Sequence, residues 1–171
     1  MVIKLSRVWA MPSKNTFTIK PVNDLIKKYL YKNIISIDPF ANSSSLATIT
    51  NDIDTQYNTN YHLDALDFLK LFSNQSIDLV FFDPPFSPSQ ISRSYKKCDK
   101  SVNFQTTQNS FWSKLKQEIS RVVKKDGVVI TCAWNSGGIG KKYGFNIKEI
   151  LLVNHGSWHN DTIIVVDKKI V

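Results

Sequence analysis

The chain has 171 residues, of which 42% are hydrophobic and 12% aromatic, and its formal net charge at pH 7 is +8. This composition excludes a disordered or collagen-like chain and suits one globular domain. The positive charge favours a polyanionic partner such as nucleic acid, although a lysine-rich surface alone would also produce it.

Cysteines and terminal sequences indicate the compartment. Cys98 and Cys132 are far apart, and neither has histidines at the spacing of a metal site, so we expect ordinary thiols in a reducing compartment and no metal. Lys4 and Arg7 precede no apolar run long enough for a signal peptide, and no stretch approaches the length of a membrane span. We therefore expect a cytoplasmic protein without a membrane partner.

The first elements in chain order are a helix and two strands. Residues 1–19 show no clear period, and a helix is predicted over 20–30, where Pro21 suits the first turn and apolar residues follow at helical spacing. Buried strands are predicted over 34–37 and 46–52. Too few residues separate these two strands for a normal parallel crossover, so we expect the first crossover helix to be reduced or missing.

The remaining elements alternate between amphipathic helices and buried strands. Helices are predicted within 62–72, after a polar start, and at 111–124, and strands at 77–82, 128–134, 147–153 and 162–166. A turn at 125–127 separates the second of these helices from its following strand. The last two strands are expected to form an antiparallel pair. The alternation predicts an α/β fold with a mainly parallel sheet.

The most informative stretch is Asp83-Pro84-Pro85-Phe86, directly after the strand over 77–82. Because proline cannot continue a strand ladder, the chain leaves the sheet abruptly at Asp83, at the edge where open α/β sheets bind ligands. The Asp83 carboxylate and the Pro84 carbonyl can accept the two N–H bonds of a planar amine, while Phe86 stacks on its ring. A simple Pro-Pro turn with Asp83 as a cap is the alternative.

Asp-Pro-Pro-Phe resembles the Asp-Pro-Pro-Tyr signature of S-adenosylmethionine-dependent amino-methyltransferases, chiefly those that act on adenine N6 in DNA. Lys20-Pro21 at the first helix and Asp38-Pro39-Phe40-Ala41 after the first strand are similar to the cofactor-binding half of the same family. The resemblance runs from Lys20 to about Val166. It implies a Rossmann-like class I methyltransferase fold of the compact size found in phage or mobile elements.

The resemblance implies two groups of site residues. The catalytic group is Asp83, Pro84, Pro85 and Phe86. The cofactor-binding group for S-adenosylmethionine is Lys20, Pro21, Asp38, Phe40, Ala41, Asn42, Asp64 and Ala65. Asp52 joins it as an acid at the end of the second predicted strand, where it can accept from ribose hydroxyls. Asp64 would equally serve as the N-cap of its helix, and Asp52 as a solvated loop acid.

One departure from the family pattern concerns the cofactor turn. The family turn is glycine-rich, whereas residues 42–45 are Asn-Ser-Ser-Ser and all six glycines lie at or beyond position 127. Asn42 tolerates left-handed dihedral angles and is the candidate to replace one glycine. Because glycine lets the backbone approach the ligand closely, this departure is expected to weaken cofactor binding.

Candidate substrate-binding residues lie in two polar segments. Arg93 and Lys96 flank Tyr95 within residues 87–107, and basic residues interleaved with an aromatic ring suit the backbone and a stacked base of nucleic acid. A solvated loop would have the same composition. His159, in the segment before the last strand, is a candidate proton acceptor, although such a histidine more often orders its loop.

Together the motifs predict methyl transfer to adenine N6 in DNA. Little chain remains for a separate target-recognition domain, so either specificity is low, a second copy or a partner supplies it, or the substrate is not duplex DNA. RNA adenine, cytosine N4 and a protein glutamine side chain remain open as acceptors. The rival hypothesis is a methyltransferase-like protein that no longer catalyses and binds nucleic acid or a protein partner.

Overall fold

A computed structural model of the chain describes residues 2–85, 89, 90, 92, 95, 98, 109–156 and 159–171. The strands are β1 Lys4–Trp9, β2 Ser36–Asp38, β3 Ile49–Thr50, β4 Ile77–Phe82, β5 Val123–Ala133, β6 Phe145–Asn154 and β7 Thr162–Lys169. They form one sheet in the order β1-β6-β7-β5-β4-β2-β3. Strand β7 runs antiparallel to both neighbours, and the other strands run in one direction. The predicted mainly parallel sheet with an antiparallel C-terminal pair is confirmed.

Helices cover both faces of the sheet. They are α1 Lys20–Lys27, α2 Ala65–Lys70 and α3 Asn109–Val122, with short 3₁₀ turns at Thr16–Thr18 and Lys141–Tyr143. The first 3₁₀ turn and α1 bury their apolar residues against one face, whereas α2 and α3 pack on the other. This is the layered architecture expected of an α/β domain. None of the described helices is both long and apolar enough to span a lipid bilayer.

The first crossover contains no helix. Strands β2 and β3 pair in parallel, with Ile37 beside Ile49, and residues 39–48, all of which the structure describes, connect them through turns. The predicted loss of the crossover helix is therefore confirmed. Strand β3 has only two residues and is shorter than the predicted 46–52. The compact connection brings the loops that follow β2 and β3 directly beside each other.

Two features differ from the sequence prediction. Strand β1 was not predicted, because it is an edge strand whose side chains are mostly exposed and show no apolar period; Leu5 is 73% exposed. Strand β5 begins at Val123, so the predicted turn at 125–127 is instead an irregularity within a strand. Its pairing with β4 shifts there, and Asp126 adopts a left-handed φ of +66°.

Candidate active site

Three acids meet at the carboxyl edge of the sheet. Asp38 ends β2, Asp83 follows β4, and Asp52 lies two residues after β3. Because β3, β2 and β4 are adjacent and parallel, their carboxyl ends lie side by side. The edge therefore brings together carboxyl groups that are far apart in sequence, as expected for an open α/β sheet.

A cavity of about 450 Å³ opens at this edge. It lies among the loops that follow β2, β3 and β4 and the start of α2. Of the predicted site residues, the following line this first cavity: Phe40, Asn42, Asp52, Asp64, Ala65, Asp83, Pro84, Pro85 and Tyr95. The structure thus gathers most of the predicted catalytic and cofactor-binding residues around one space.

A second cavity of about 290 Å³ adjoins the first. It lies between residues 14–18, α1 and the turn at 41–46, and Ala41 belongs to its lining. Asp83 and Thr16 line both cavities. Asp83 therefore lies at the junction between two spaces, where it can contact groups held in either one.

Burial controls the charge of Asp83. Burial raises the pKa of the Asp83 carboxyl to about 6, and a hydrogen bond with the Thr16 side chain partly opposes this rise in pKa. Most of the Asp83 side chains are consequently ionised at pH 7, and an ionised carboxylate is a pure hydrogen-bond acceptor. Sequence reasoning did not identify Thr16, because nothing in its flanking sequence points to Asp83.

Asp38, predicted to bind the cofactor, is fully buried at the end of β2 and lines neither cavity. Its Oδ1 accepts the backbone N–H of Phe40 at 3.0 Å, while its Oδ2 has no hydrogen-bond partner among the described residues. Burial raises the pKa of the Asp38 carboxyl well above its usual value, and the nearby charges of Asp83 and Asp52 raise this pKa further. An unpaired buried polar atom is costly, which is a common property of ligand sites.

Asp52 and Asp64 already accept hydrogen bonds from the protein. The Asp52 carboxylate accepts the backbone N–H groups of Asn42 at 2.8 Å and Asp54 at 2.9 Å. Asp64 caps α2, because its Oδ1 accepts the N–H of Leu66 at 2.9 Å, and its Oδ2 accepts the Tyr95 hydroxyl. Since a carboxylate has about four acceptor sites, each group keeps capacity for a ligand.

Asn42 supplies the conformation that glycine would supply in the family turn. Its φ is +52°, in the left-handed region that asparagine tolerates. The N–H groups of Ala41 and Asn42 are held by the Asn51 carbonyl at 2.9 Å and by Asp52. A turn without glycine is therefore fixed in place at this position.

Asn51 ties the cavity walls together and was missed by sequence reasoning. Its buried side chain donates to the carbonyls of Pro39 and Leu63, each at 3.0 Å, and accepts the Leu63 N–H at 2.9 Å. These bonds join the loop after β2 to the segment before α2. No sequence pattern indicates this role, because an asparagine at the end of a predicted strand has no distinctive spacing from its partners in other segments.

Lys20 and Pro21 lie outside both cavities. The Lys20 ammonium is exposed and contacts Asp24 at 2.8 Å, and Pro21 occupies the first turn of α1 as predicted. Helix α1 contributes Asn23 to the second cavity instead, and the Asn23 side chain donates to the Phe17 carbonyl at 3.2 Å. The structure thus places the first turn of α1 near the site without bringing its lysine to it.

The predicted substrate residues divide into three groups. Tyr95 lines the first cavity through its contact with Asp64, on the side assigned to the cofactor. His159 is exposed and lines neither cavity, while its backbone N–H contacts the Gly156 carbonyl at 3.1 Å. Arg93 and Lys96 lie outside the described residues, as does Phe86 of the predicted catalytic group.

Comparisons with known proteins bear on the fold alone. No protein-family profile and no curated protein matches the sequence. The fold resembles a protein described as a methyltransferase from Escherichia coli, at 12% identity, covering 94% of this chain and 90% of that chain with a TM-score of 0.57. It also resembles an rRNA methylase from Streptococcus thermophilus, at 14% identity, covering 95% and 100% of the two chains with a TM-score of 0.53.

A third similar structure contains a cofactor product. It is the 1,6-didemethyltoxoflavin-N1-methyltransferase of Burkholderia thailandensis with bound S-adenosylhomocysteine, at 8% identity, covering 89% and 78% of the two chains with a TM-score of 0.59. The present chain has the Rossmann-like fold of the class I methyltransferases. At these identities the likeness establishes the fold alone.

Proposed function

We propose that the protein transfers a methyl group from S-adenosylmethionine to an exocyclic amine, with adenine N6 in DNA as the favoured acceptor. The observation that carries the proposal is the position of Asp83-Pro84-Pro85. These residues follow β4 at the carboxyl edge and line the same cavity as Phe40, Asp52 and Asp64. A carboxylate followed by two prolines beside a cavity can position a planar amine for reaction.

The first cavity fits the proposed cofactor. Asp52 and Asp64 supply carboxylate acceptors for hydroxyl and amino groups, and Phe40 and Leu63 supply apolar walls. The unpaired buried oxygen of Asp38 lies at the same edge. Bound there, S-adenosylmethionine would supply an electrophilic methyl group on a sulfonium centre.

The role of the protein is to orient the accepting amine. The Asp83 carboxylate and the Pro84 carbonyl would each accept one N–H bond, which directs the nitrogen lone pair toward the methyl donor. The two prolines hold this pair of acceptors without a competing backbone N–H. Phe86 is assigned to stacking on the acceptor ring by the sequence resemblance.

Two observations support a nucleic acid as the substrate. The net charge of +8 favours a polyanion, and Asp at the first position of the motif leans toward adenine within the resembled family. A base acted on in this way is flipped from a duplex or is already single-stranded.

The rival hypothesis, a methyltransferase-like protein that no longer catalyses, has specific support. Both oxygens of Asp52 and both oxygens of Asp64 already accept hydrogen bonds from the protein. A cofactor that needs the same acceptors would have to share them. Each oxygen keeps one further lone pair, so sharing these acceptors weakens cofactor binding without preventing it.

The test combines calorimetry with transfer of a labelled methyl group. We expect S-adenosylmethionine to bind with micromolar affinity and the label to appear on adenine in DNA. Transfer to RNA or protein pools would keep the chemistry and change the acceptor. No detectable binding of S-adenosylmethionine, with nucleic-acid binding retained, would refute the enzyme and support the rival.

A further inference from the structure

A third cavity of about 330 Å³ lies between α3 and the carboxyl ends of β4 and β5. Trp112 and Lys116 of α3 line one side, and Trp134 lines the other. Trp134 is 48% exposed, so its indole ring borders both the cavity and solvent. The volume lies in the range of small-molecule sites, and none of the roles proposed above uses this space.

A single aromatic layer separates the third cavity from the first. Phe82 lines the third cavity, and its ring centroid lies 6.0 Å from that of Phe40, which lines the first. Phe111 and Trp112, consecutive in α3, line the first and third cavities respectively. The two cavities are therefore close neighbours on the same edge of the sheet.

Thr131 forms part of the cavity wall without offering its hydroxyl. The Thr131 side chain lines the cavity and is 5% exposed, while its hydroxyl oxygen is buried and has no hydrogen-bond partner among the described residues. A ligand in the cavity would therefore contact the rest of the Thr131 side chain, and the polar groups available to it belong to other lining residues.

Positive charge lies beside the tryptophans. The Lys116 ammonium donates to the Gly138 carbonyl and keeps two further N–H donors. Lys142 lies close enough to Lys116 to influence it, and its ammonium is 4.9 Å from the centre of the Tyr143 ring. Cations interleaved with aromatic rings are the features with which proteins bind single-stranded nucleic acid.

The loop on the open side of the cavity is held in place. The Ile139 N–H donates to the buried Asp167 carboxylate at 2.9 Å, and Gly138 has a φ of +55°. A Cβ atom at Gly138 would lie 2.2 Å from Asp167 Oδ2, so the loop packs directly on β7. The site is therefore preformed, which lowers the entropic cost of binding a ligand.

We propose that the third cavity binds a nucleotide adjacent to the acceptor base, with its base stacked on Trp134 and its phosphate near Lys116 and Lys142. The proposal rests on the proposed function for its choice of a nucleic acid.

The first test measures binding of a fluorescently labelled single-stranded oligonucleotide by anisotropy, with DNA and RNA arms. Trp134→Ala should weaken binding by about 5- to 100-fold, the range that loss of one stacked base produces. Trp134→Tyr keeps a ring and should restore most of the affinity. Tyr31→Ala is the matched control, since Tyr31 is an exposed aromatic residue at 64% exposure, remote from the cavity in sequence. Equal losses for Trp134→Ala and Tyr31→Ala would overturn the proposal.

The second test uses the buried hydroxyl as a control inside the same cavity wall. Thr131→Val keeps the shape of the side chain and removes a buried polar atom that has no partner among the described residues, so the folded protein should become slightly more stable. Because this oxygen is buried, oligonucleotide affinity should stay unchanged. A loss of affinity as large as that of Trp134→Ala would contradict stacking on Trp134 as the source of binding.

The two proposals can fail separately. If Trp134→Ala leaves both oligonucleotide affinity and the KM for nucleic acid unchanged while methyl transfer proceeds, the third cavity is not a nucleotide site and the proposed function stands. If S-adenosylmethionine does not bind but oligonucleotide affinity depends on Trp134, the enzyme assignment fails and the nucleotide site stands. Failure of the unaltered protein to bind either oligonucleotide overturns the third-cavity proposal.

Discussion

Replacing Asp83 by asparagine separates the catalytic role of this side chain from its effect on stability. Asparagine keeps the size of the side chain but has an NH₂ group in place of one acceptor oxygen and carries no charge. We expect Asp83→Asn to reduce methyl transfer by on the order of 100-fold or more, since a positioned charge is lost. Affinity for S-adenosylmethionine should change little, because other residues supply the cofactor contacts.

The same substitution should stabilise the protein at neutral pH. The pKa of Asp83 is about 6 in the folded protein, against 3.8 as its ordinary value. A difference of roughly two pKa units corresponds to about 3 kcal/mol at 1.36 kcal/mol per unit. Because the folded state binds this proton more tightly than the unfolded state, Asp83 destabilises the protein as pH rises from about 4 to about 6.

Thermal unfolding at two pH values tests this reasoning. At pH 8, Asp83→Asn should raise the melting temperature by about 5–10 °C, and at pH 3 the difference should largely disappear. Asp24→Asn is the control, because its lysine partner lowers the pKa of Asp24 and its removal should give no gain at pH 8. A variant destabilised equally at both pH values would refute the buried-carboxylate argument. Methyl transfer by the unaltered protein should rise with pH and level off above about pH 6–7, as Asp83 ionises.

The remaining predictions concern contacts around the cavities. Asn51→Ala leaves three backbone groups unpaired and should lower the free energy of unfolding by about 3 kcal/mol or more, measured by urea titration. A loss below about 1 kcal/mol would contradict the role of Asn51 in joining the loop after β2 to the segment before α2. Tyr95→Phe frees one oxygen of Asp64 and should tighten cofactor binding about 5- to 10-fold by calorimetry, whereas weaker binding would show that Tyr95 helps to form the site. Gly138→Ala places a Cβ atom against Asp167 and should destabilise the protein by about 2–3 kcal/mol, with an unchanged melting temperature as the contrary result.

Strand-end acids were the predictable part of the site. Asp52 and Asp83 follow predicted strands, and Asp64 precedes a predicted helix. The carboxyl ends of parallel strands meet at one edge of the sheet, independently of the conformation of the loops. The expectation for the first crossover was equally secure, since ten residues are too few for a helix and its two turns. The tertiary contacts of Thr16 and Asn51 follow from no local pattern, because their partners lie in other segments of the chain.

Edge position explains why β1 was not predicted. An edge strand buries little of its surface, so β1 needs no alternation of apolar and polar residues, and its pairing with β6 carries no local signal.

The irregular start of β5 was interpreted as a turn because Lys125-Asp126-Gly127 has turn-forming residues. The same residues also suit a bulge, where a left-handed residue is accommodated inside a strand.

The pairing of β1 with β6 has a consequence for biosynthesis. The His155 Nδ1–H donates a hydrogen bond to the carbonyl of Ala10, which precedes it by 145 positions, so β1 has no partner strand until β6 has been synthesised. Ribosomes add about 5–20 residues per second, so roughly 7–30 s pass before β1 can pair. Because Thr16 follows β1 and contacts Asp83, this wall of the pocket would be fixed in place only after β6 has formed.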